Sequence, residues 1–205
     1  LGDVYKRQTM RRLAALEGSG FAGVVANNLA QFGYASPLPV FGGLGLNVTN
    51  PMSAAEYVYL GACGLLVQPE TALTAMRAVA PRQKDGTPVP TAALCYGHLP
   101  LMLTRACPLR NVHDCASCRS GGTLRDRKGR DFTVTCSAPG GAGVRTVYNP
   151  VPLYMGERLR EMPVDVAIAA FTTETPQRTA QILAELFAAQ PFDSEFTRGL
   201  YYTNN

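Results

Sequence analysis

Short apolar runs at residues 21–27, 40–48, 63–67 and 91–103 recur along the first half of this chain, and the later gaps hold helix-forming stretches at 54–60 and 71–79. Strand, helix and strand following one another at intervals of about 20–25 residues predict βα units and a parallel sheet. So few units leave two architectures open, a piece of a (β/α)8 barrel and a doubly wound sheet. In a barrel, the residues at the C-terminal ends of the strands face the active site. Here these are Asn47, Asn50, Gln68, Glu70, Tyr96 and His98. Glu70 and His98 are the catalytic candidates. A carboxylate in a βα loop can act as a base or ligate a metal, although in a helix's first turn it can simply complement the helix dipole. Asn and similar short polar residues at strand ends commonly serve turns and caps.

Local signals punctuate the pattern. A short helix over 9–17 is stopped by Gly18 and Gly20; Ser53 is placed to cap the helix over 54–60 after the Asn50-Pro51 turn; and Pro69 and Glu70 open the helix over 71–79. Further on, Asn149-Pro150-Val151-Pro152 precedes a predicted helix over 153–161. Residues 164–172, VDVAIAAFT, read as the clearest buried strand. Residues 175–190 read as the clearest amphipathic helix, with Ile182, Leu183, Leu186 and Phe187 on one face.

Residues 105–136 break the rhythm. They hold four of the six cysteines, Cys107, Cys115, Cys118 and Cys136, spaced C-x7-C-x2-C-x17-C. With no secretory-leader pattern in the sequence, such a cluster points to a metal centre rather than to disulfides. Four soft thiolates suit a tetrahedral zinc or an iron–sulfur cluster. The plainer alternative is a redox or incidental Cys115–Cys118 pair, with Cys107 and Cys136 as packing residues. Residues 123–135 predict a β-hairpin turning near Lys128-Gly129, which returns Cys136 beside Cys115 and Cys118. The segment has seven basic and three acidic residues, so the whole formal charge of +4 is concentrated in it. Arg119, Arg125, Arg127, Lys128 and Arg130 are candidate contacts to an anionic partner such as RNA, or simply a solvated basic loop.

Other classes lack their signatures. The sequence holds no G-x-S-x-G, H-E-x-x-H, P-loop or G-x-G-x-x-G motif, and its two histidines are His98 and His113, the latter inside the cysteine segment. Cys63 and Cys95 sit in apolar runs, where packing is the default role. No apolar run reaches the ~18 residues that would predict a membrane span. Residues 1–8, LGDVYKRQ, resemble a translated read-end sequence, and the abrupt close after FTRGLYY suggests part of a longer protein.

The order of several motifs resembles the U32 peptidase family, the collagenase-like proteases. It rests on YGHLPLMLTRACPLRN over 96–111, the Cys115-x-x-Cys118 pair, LRDRKG over 124–129, FTVTC over 132–136 and NPVPLY over 149–154. LNVTN over 46–50, QPE over 68–70 and FTRGLY over 196–201 add to it. The family signature has a further cysteine just ahead of Cys107, where this chain has none, and relatives often show a small hydroxyl residue where Gln68 stands.

That resemblance implies a bacterial, cytoplasmic protein with a partial (β/α)8 TIM-barrel-like fold and a Cys-rich basic insertion containing a β-hairpin. The implied layout is a non-native segment over 1–8, βα units over 9–103, the insertion over 104–140 and a further, truncated βα unit over 141–205. It also implies a 4Fe-4S cluster on Cys107, Cys115, Cys118 and Cys136. The function it favours is iron–sulfur-dependent hydroxylation of rRNA or tRNA bases, as enzyme or accessory. The alternatives are a metal-dependent or cysteine peptidase, and a non-enzymatic four-cysteine zinc module that binds nucleic acid.

Overall fold

The computed structural model describes residues 2–34, 36–111, 114–115, 118, 121–138 and 143–203. The chain divides into two compact units. The first comprises Leu1–Leu94, Arg158–Ile168 and Arg198–Asn205; the second comprises Cys95–Glu157 and Ala169–Thr197.

The first unit is an α/β layer. Helix α1 (Gly2–Ala14) precedes strand β1 (Val24–Ala26), β2 (Val40–Gly42), helix α2 (Pro51–Tyr59), β3 (Ala62–Leu66), a short α3 (Leu73–Met76) and the start of β4 (Thr91–Gly97). The strand order is β1-β2-β3-β4, followed by β10 (Val166–Ala170), and the pairs β1–β2, β2–β3 and β3–β4 are parallel. The described strands show no barrel closure. Strand β3 is an almost continuous apolar run because it is central, with Leu65 and Leu66 buried between the elements that flank it.

Several elements are shorter than their sequence signals. The run 40–48 is strand only to Gly42 and then coils into a 3-10 turn over Leu44–Leu46, ending on Asn47 in the left-handed region at φ 53. Helix α2 starts earlier than expected. Asn50, not Ser53, is its cap: the Asn50 Oδ1 accepts the Ser53 amide and Pro51 takes the first position, where no donor is needed. The expected helix over 71–79 shrinks to α3, which leaves Glu70 exposed in the turn ahead of it. Strand β10 is not deeply buried. Val166 is 49% exposed at the end of the strand order, on an uncovered apolar face shared with Val25, Phe41 and Ile168.

The second unit is built on a four-stranded antiparallel sheet. Its strands are β5 (Pro100–Thr104), β6 (Gly121–Arg125), β7 (Asp131–Cys136) and β8 (Arg145–Tyr148), in the order β5-β8-β7-β6. The β6–β7 hairpin turns through residues 126–130. Asp126 Oδ1 accepts the amides of Lys128 and Arg130, and Gly129 supplies a φ of +78. Gly121 lets β6 lie close to β7; a Cβ there would sit 2.1 Å from the Val134 carbonyl oxygen. Leu109, Val134 and Val147 form a buried cluster on one face of this sheet, joined by Cys107, Leu124 and Phe132.

Residues 153–161 are not a regular helix. Leu153–Tyr154 form a short strand β9, antiparallel to the end of β4, and 3-10 turns follow over Gly156–Glu161. Proline at 150 and 152 and the ladder pairing of Leu153 with Gly97 favour extended backbone there. Helix α4 (Pro176–Phe187) matches its signal: Thr175 accepts the Arg178 amide, Pro176 opens the helix, and Ile182 and Leu186 are buried. Phe187 is the exception. It is 88% exposed, because at 100° per residue it lies about 140° around the helix from Ile182. Among the described residues no helix is long and apolar enough to cross a membrane.

Candidate functional site

Strand register gathers the cysteine segment at one end of the antiparallel sheet. Thr104, Arg145 and Cys136 face one another across β5, β8 and β7, and Gly121 pairs with Thr135, the neighbour of Cys136. Cys107 follows three residues after Thr104, and Cys118 precedes Gly121 by three, with its thiol 3.8 Å from the Gly121 carbonyl oxygen. Cys115 is exposed in the turn before Cys118. Cys136 therefore stands at these strand ends and Cys107 and Cys118 lie three residues along the chain from them, while Cys115 is six residues ahead of β6. The four do not form an assembled tetrahedron: among the described residues no group of three or more His, Cys, Asp or Glu side chains could hold a metal ion. His113 and Arg119 lie outside the described residues.

Faces sharpen the picture. Directly opposed residues in an antiparallel pair share a face, and so do residues two apart on one strand. Val134 opposes Val147 and Cys136 opposes Arg145, so Cys136 and Arg145 lie on the face of the cluster against which Cys107 packs. Arg145 is buried there at 7% exposure. Its Nη1 donates to the carbonyls of Arg105 (2.7 Å) and Gly143 (2.6 Å), while its buried Nε has no partner among the described residues. Two of the four thiol-bearing residues, Cys136 and Cys107, thus share a face with this buried cation.

The basic residues are less available than their count suggests. Arg125 is held bidentate by Asp131 across the hairpin, at 2.6 and 2.7 Å, and Arg130 meets Glu195 at 2.9 Å. Arg127 and Lys128 stand exposed at the hairpin tip.

At the other end of β5 and β8 lies an open cleft of about 370 Å³, lined by residues including Tyr96, His98, Pro150, Glu174, Arg178 and Phe192. Strand β4 delivers Tyr96, the link to β5 delivers His98, and Glu174 stands just before the Thr175 cap of α4. His98 Nδ1 is 2.7 Å from the Asn149 carbonyl oxygen. A carbonyl can only accept, so Nδ1 carries the proton and Nε2 is left toward Glu174 Oε1, 3.9 Å away. Glu174 is nearly inaccessible. Its Oε1 accepts the Tyr96 hydroxyl at 2.7 Å and its Oε2 accepts the amides of Thr172 and Thr173 at 2.7 and 3.0 Å. Burial pushes its pKa up, but these hydrogen bonds outweigh it and hold the carboxyl below its ordinary value. The Tyr96 hydroxyl shifts the other way, raised by burial and then by its bond to Glu174.

The remaining candidates divide. Tyr96 and His98 come together around Glu174. Glu70 is exposed in the first unit, Asn50 is a helix cap, and Gln68 Nε2 donates to Asn47 Oδ1 at 2.8 Å and to the Leu44 carbonyl, so these polar groups stabilise loops. Sequence reasoning missed Glu174 and Arg145. The strand-end rule applied to residues 164–172 reaches Glu174, whereas nothing in the sequence marks Arg145 as buried.

The fold defines a mixed α/β protein with a largely parallel sheet and a separate antiparallel four-stranded sheet. No family model, no curated protein and no solved structure matches the chain.

Proposed function

We propose that this chain is a U32-type protein whose α/β layer is part of a (β/α)8 barrel. Its second unit holds a 4Fe-4S cluster on Cys107, Cys115, Cys118 and Cys136 and serves hydroxylation of RNA bases, as enzyme or accessory. What supports this reading is the strand register that sets Cys136 at one end of one sheet, with Cys107 and Cys118 each three residues along the chain from strand ends at that same end. Bound there, such a cluster supplies one-electron redox chemistry.

The chain's own residues do the rest. Arg127 and Lys128 at the hairpin tip attract a phosphate backbone. In the cleft, ionised Glu174 stands beside His98, whose Nε2 takes or gives a proton while the Asn149 carbonyl fixes the ring. A zinc-loaded, non-enzymatic module that binds nucleic acid is favoured by the same thiols, because tetrahedral zinc accepts the identical donor set.

Anaerobic purification separates the readings, with iron, sulfide and zinc assayed in the wild type and in Cys115→Ala/Cys118→Ala. Roughly four irons per chain, lost in the variant, support the cluster. One zinc without iron supports the structural module. Neither metal sinks the four-thiol reading and leaves a peptidase acting through the His98 cleft as the better model.

A further inference from the structure

Two hydrogen-bond acceptors that face each other across a short gap select a ligand that can donate to both. His98 and Glu174 form such a pair. In the neutral imidazole the Nδ1 proton is committed to the Asn149 carbonyl, so Nε2 presents a lone pair. It stands 3.9 Å from Glu174 Oε1, too far for a direct hydrogen bond. Oε1 already accepts the Tyr96 hydroxyl and Oε2 accepts the amides of Thr172 and Thr173. All of these donors are neutral. None of the ion pairs among the described residues joins Glu174 to a lysine or an arginine, and its side chain is only 5% exposed. The ionised carboxyl is therefore a buried anion in the cleft wall, and a cation entering the cleft would supply the opposite charge it lacks. The other charges in that wall are already met. Asp193 holds both Nη atoms of Arg178, at 3.0 and 2.6 Å, and Arg130 meets Glu195 at 2.9 Å.

We propose that this cleft binds a primary alkylammonium group, whose N–H donors point at His98 Nε2 and Glu174 Oε1. A nitrogen placed at the length of a charge-assisted hydrogen bond, about 2.8 Å from each acceptor, sees the two at about 90°, which the tetrahedral N–H bonds of an ammonium meet with little bending. Pro150, Val151 and Pro152 add an apolar wall against which the alkyl chain lies. An anionic ligand would set like charge against Glu174. A quaternary ammonium carries the charge without a donor, and an alcohol offers a single donor without the charge. The proposal rests on the cleft alone, so it stands or falls separately from the four-cysteine reading.

The test titrates the full chain with n-butylammonium chloride at pH 8, where an alkylammonium keeps its charge. Binding is followed by the ring proton resonances of His98, assigned by their absence in His98→Gln. Tetramethylammonium and 1-butanol are titrated in parallel, and n-butylammonium is also titrated into Glu174→Gln. A saturable shift with n-butylammonium is expected, with each of the other two ligands, and the Glu174→Gln variant, at least about tenfold weaker, the factor for a lost charge-assisted hydrogen bond. Should Glu174→Gln fail to fold, the comparison of the three ligands on the wild type decides alone. Nα-acetyl-lysinamide then separates the sources of the ammonium. Binding at least as tight as n-butylammonium makes the occupant a peptide lysine, weaker binding makes it a free amine, and both uphold the site. Three results overturn it: no saturable shift in the wild type, 1-butanol or tetramethylammonium binding as tightly as n-butylammonium, or a folded Glu174→Gln that binds n-butylammonium as the wild type does.

Discussion

Replacing Tyr96 by Phe removes one hydroxyl and leaves the ring, with its packing against Phe171 and Phe192, in place. What is lost is the 2.7 Å donor to Glu174 Oε1. A hydrogen bond to an ionised acceptor contributes about 1.5–3 kcal/mol, and the carboxylate left behind keeps its backbone amide donors, among them Thr172 and Thr173 on Oε2. We therefore expect Tyr96→Phe to lose about 2 kcal/mol at pH 7. With a urea dependence of about 2 kcal/mol per molar, the unfolding midpoint moves down by about 1 M. The pH dependence gives the sign. The folded-state pKa of Glu174 is depressed, so its contribution is complete above the unfolded value of about 4.3 and is lost as pH falls through the lower folded value. The gap between wild type and variant should be widest at neutral pH and narrow in acid. A variant as stable as the wild type at pH 7, or a gap that widens as pH falls, would refute the assignment of Glu174 as a carboxylate held ionised by its hydrogen bonds.

Thiol reactivity should separate the cysteines of the second unit. Cys95 is buried, with its pKa pushed up to about 11 chiefly by that burial, and Cys115 is exposed. In metal-stripped protein, iodoacetamide at pH 8 is expected to label Cys115 and spare Cys95, and mass spectrometry showing Cys95 labelled first would contradict the packing. Gly121→Ala places a methyl against the Val134 carbonyl and is expected to cost about 1–3 kcal/mol in urea unfolding, whereas an unchanged midpoint would mean that the hairpin absorbs it. If RNA is bound, Arg127→Ala and Lys128→Ala should each reduce the salt slope of binding by about 1, while Arg125→Ala, whose charge is already met by Asp131, should change it less.

The parallel layer was legible because its strands are runs of apolar residues between turn formers, even though one face, at Val25, Phe41 and Val166, is left uncovered. The lengths were less so. Residues 71–79 have helical composition, yet the Gln68–Thr71 turn and the chain that follows leave only Leu73–Met76 helical. The hairpin was legible from Lys128-Gly129. Strand β8, four residues with an arginine at its head, was not, because it is defined by partners rather than by its own propensity. The cysteines declared themselves by spacing. Arg145 could not, since its burial comes from strands far apart in sequence, and a sequence does not distinguish a buried arginine from a solvated one. Likewise Arg125 and Arg130 count as positive charge in a composition, and only the fold shows each already facing a carboxylate.

The five-residue loop at the tip of the β6–β7 hairpin acts as a length gauge for the opposite end. It fixes Leu124 against Phe132, and through that pairing decides how far along the sheet Cys118 arrives relative to Cys136. Removing one residue from the tip would slide Cys118 by about 3.4 Å, more than a whole zinc–sulfur bond, and turn the apolar side chains of β6 outward. Loop tips ordinarily tolerate insertion and deletion. If Cys118 and Cys136 bind one metal, as proposed above, a length change about 20 Å from the nearest thiol would act as a ligand mutation, so the tip should vary in its side chains while keeping its residue count.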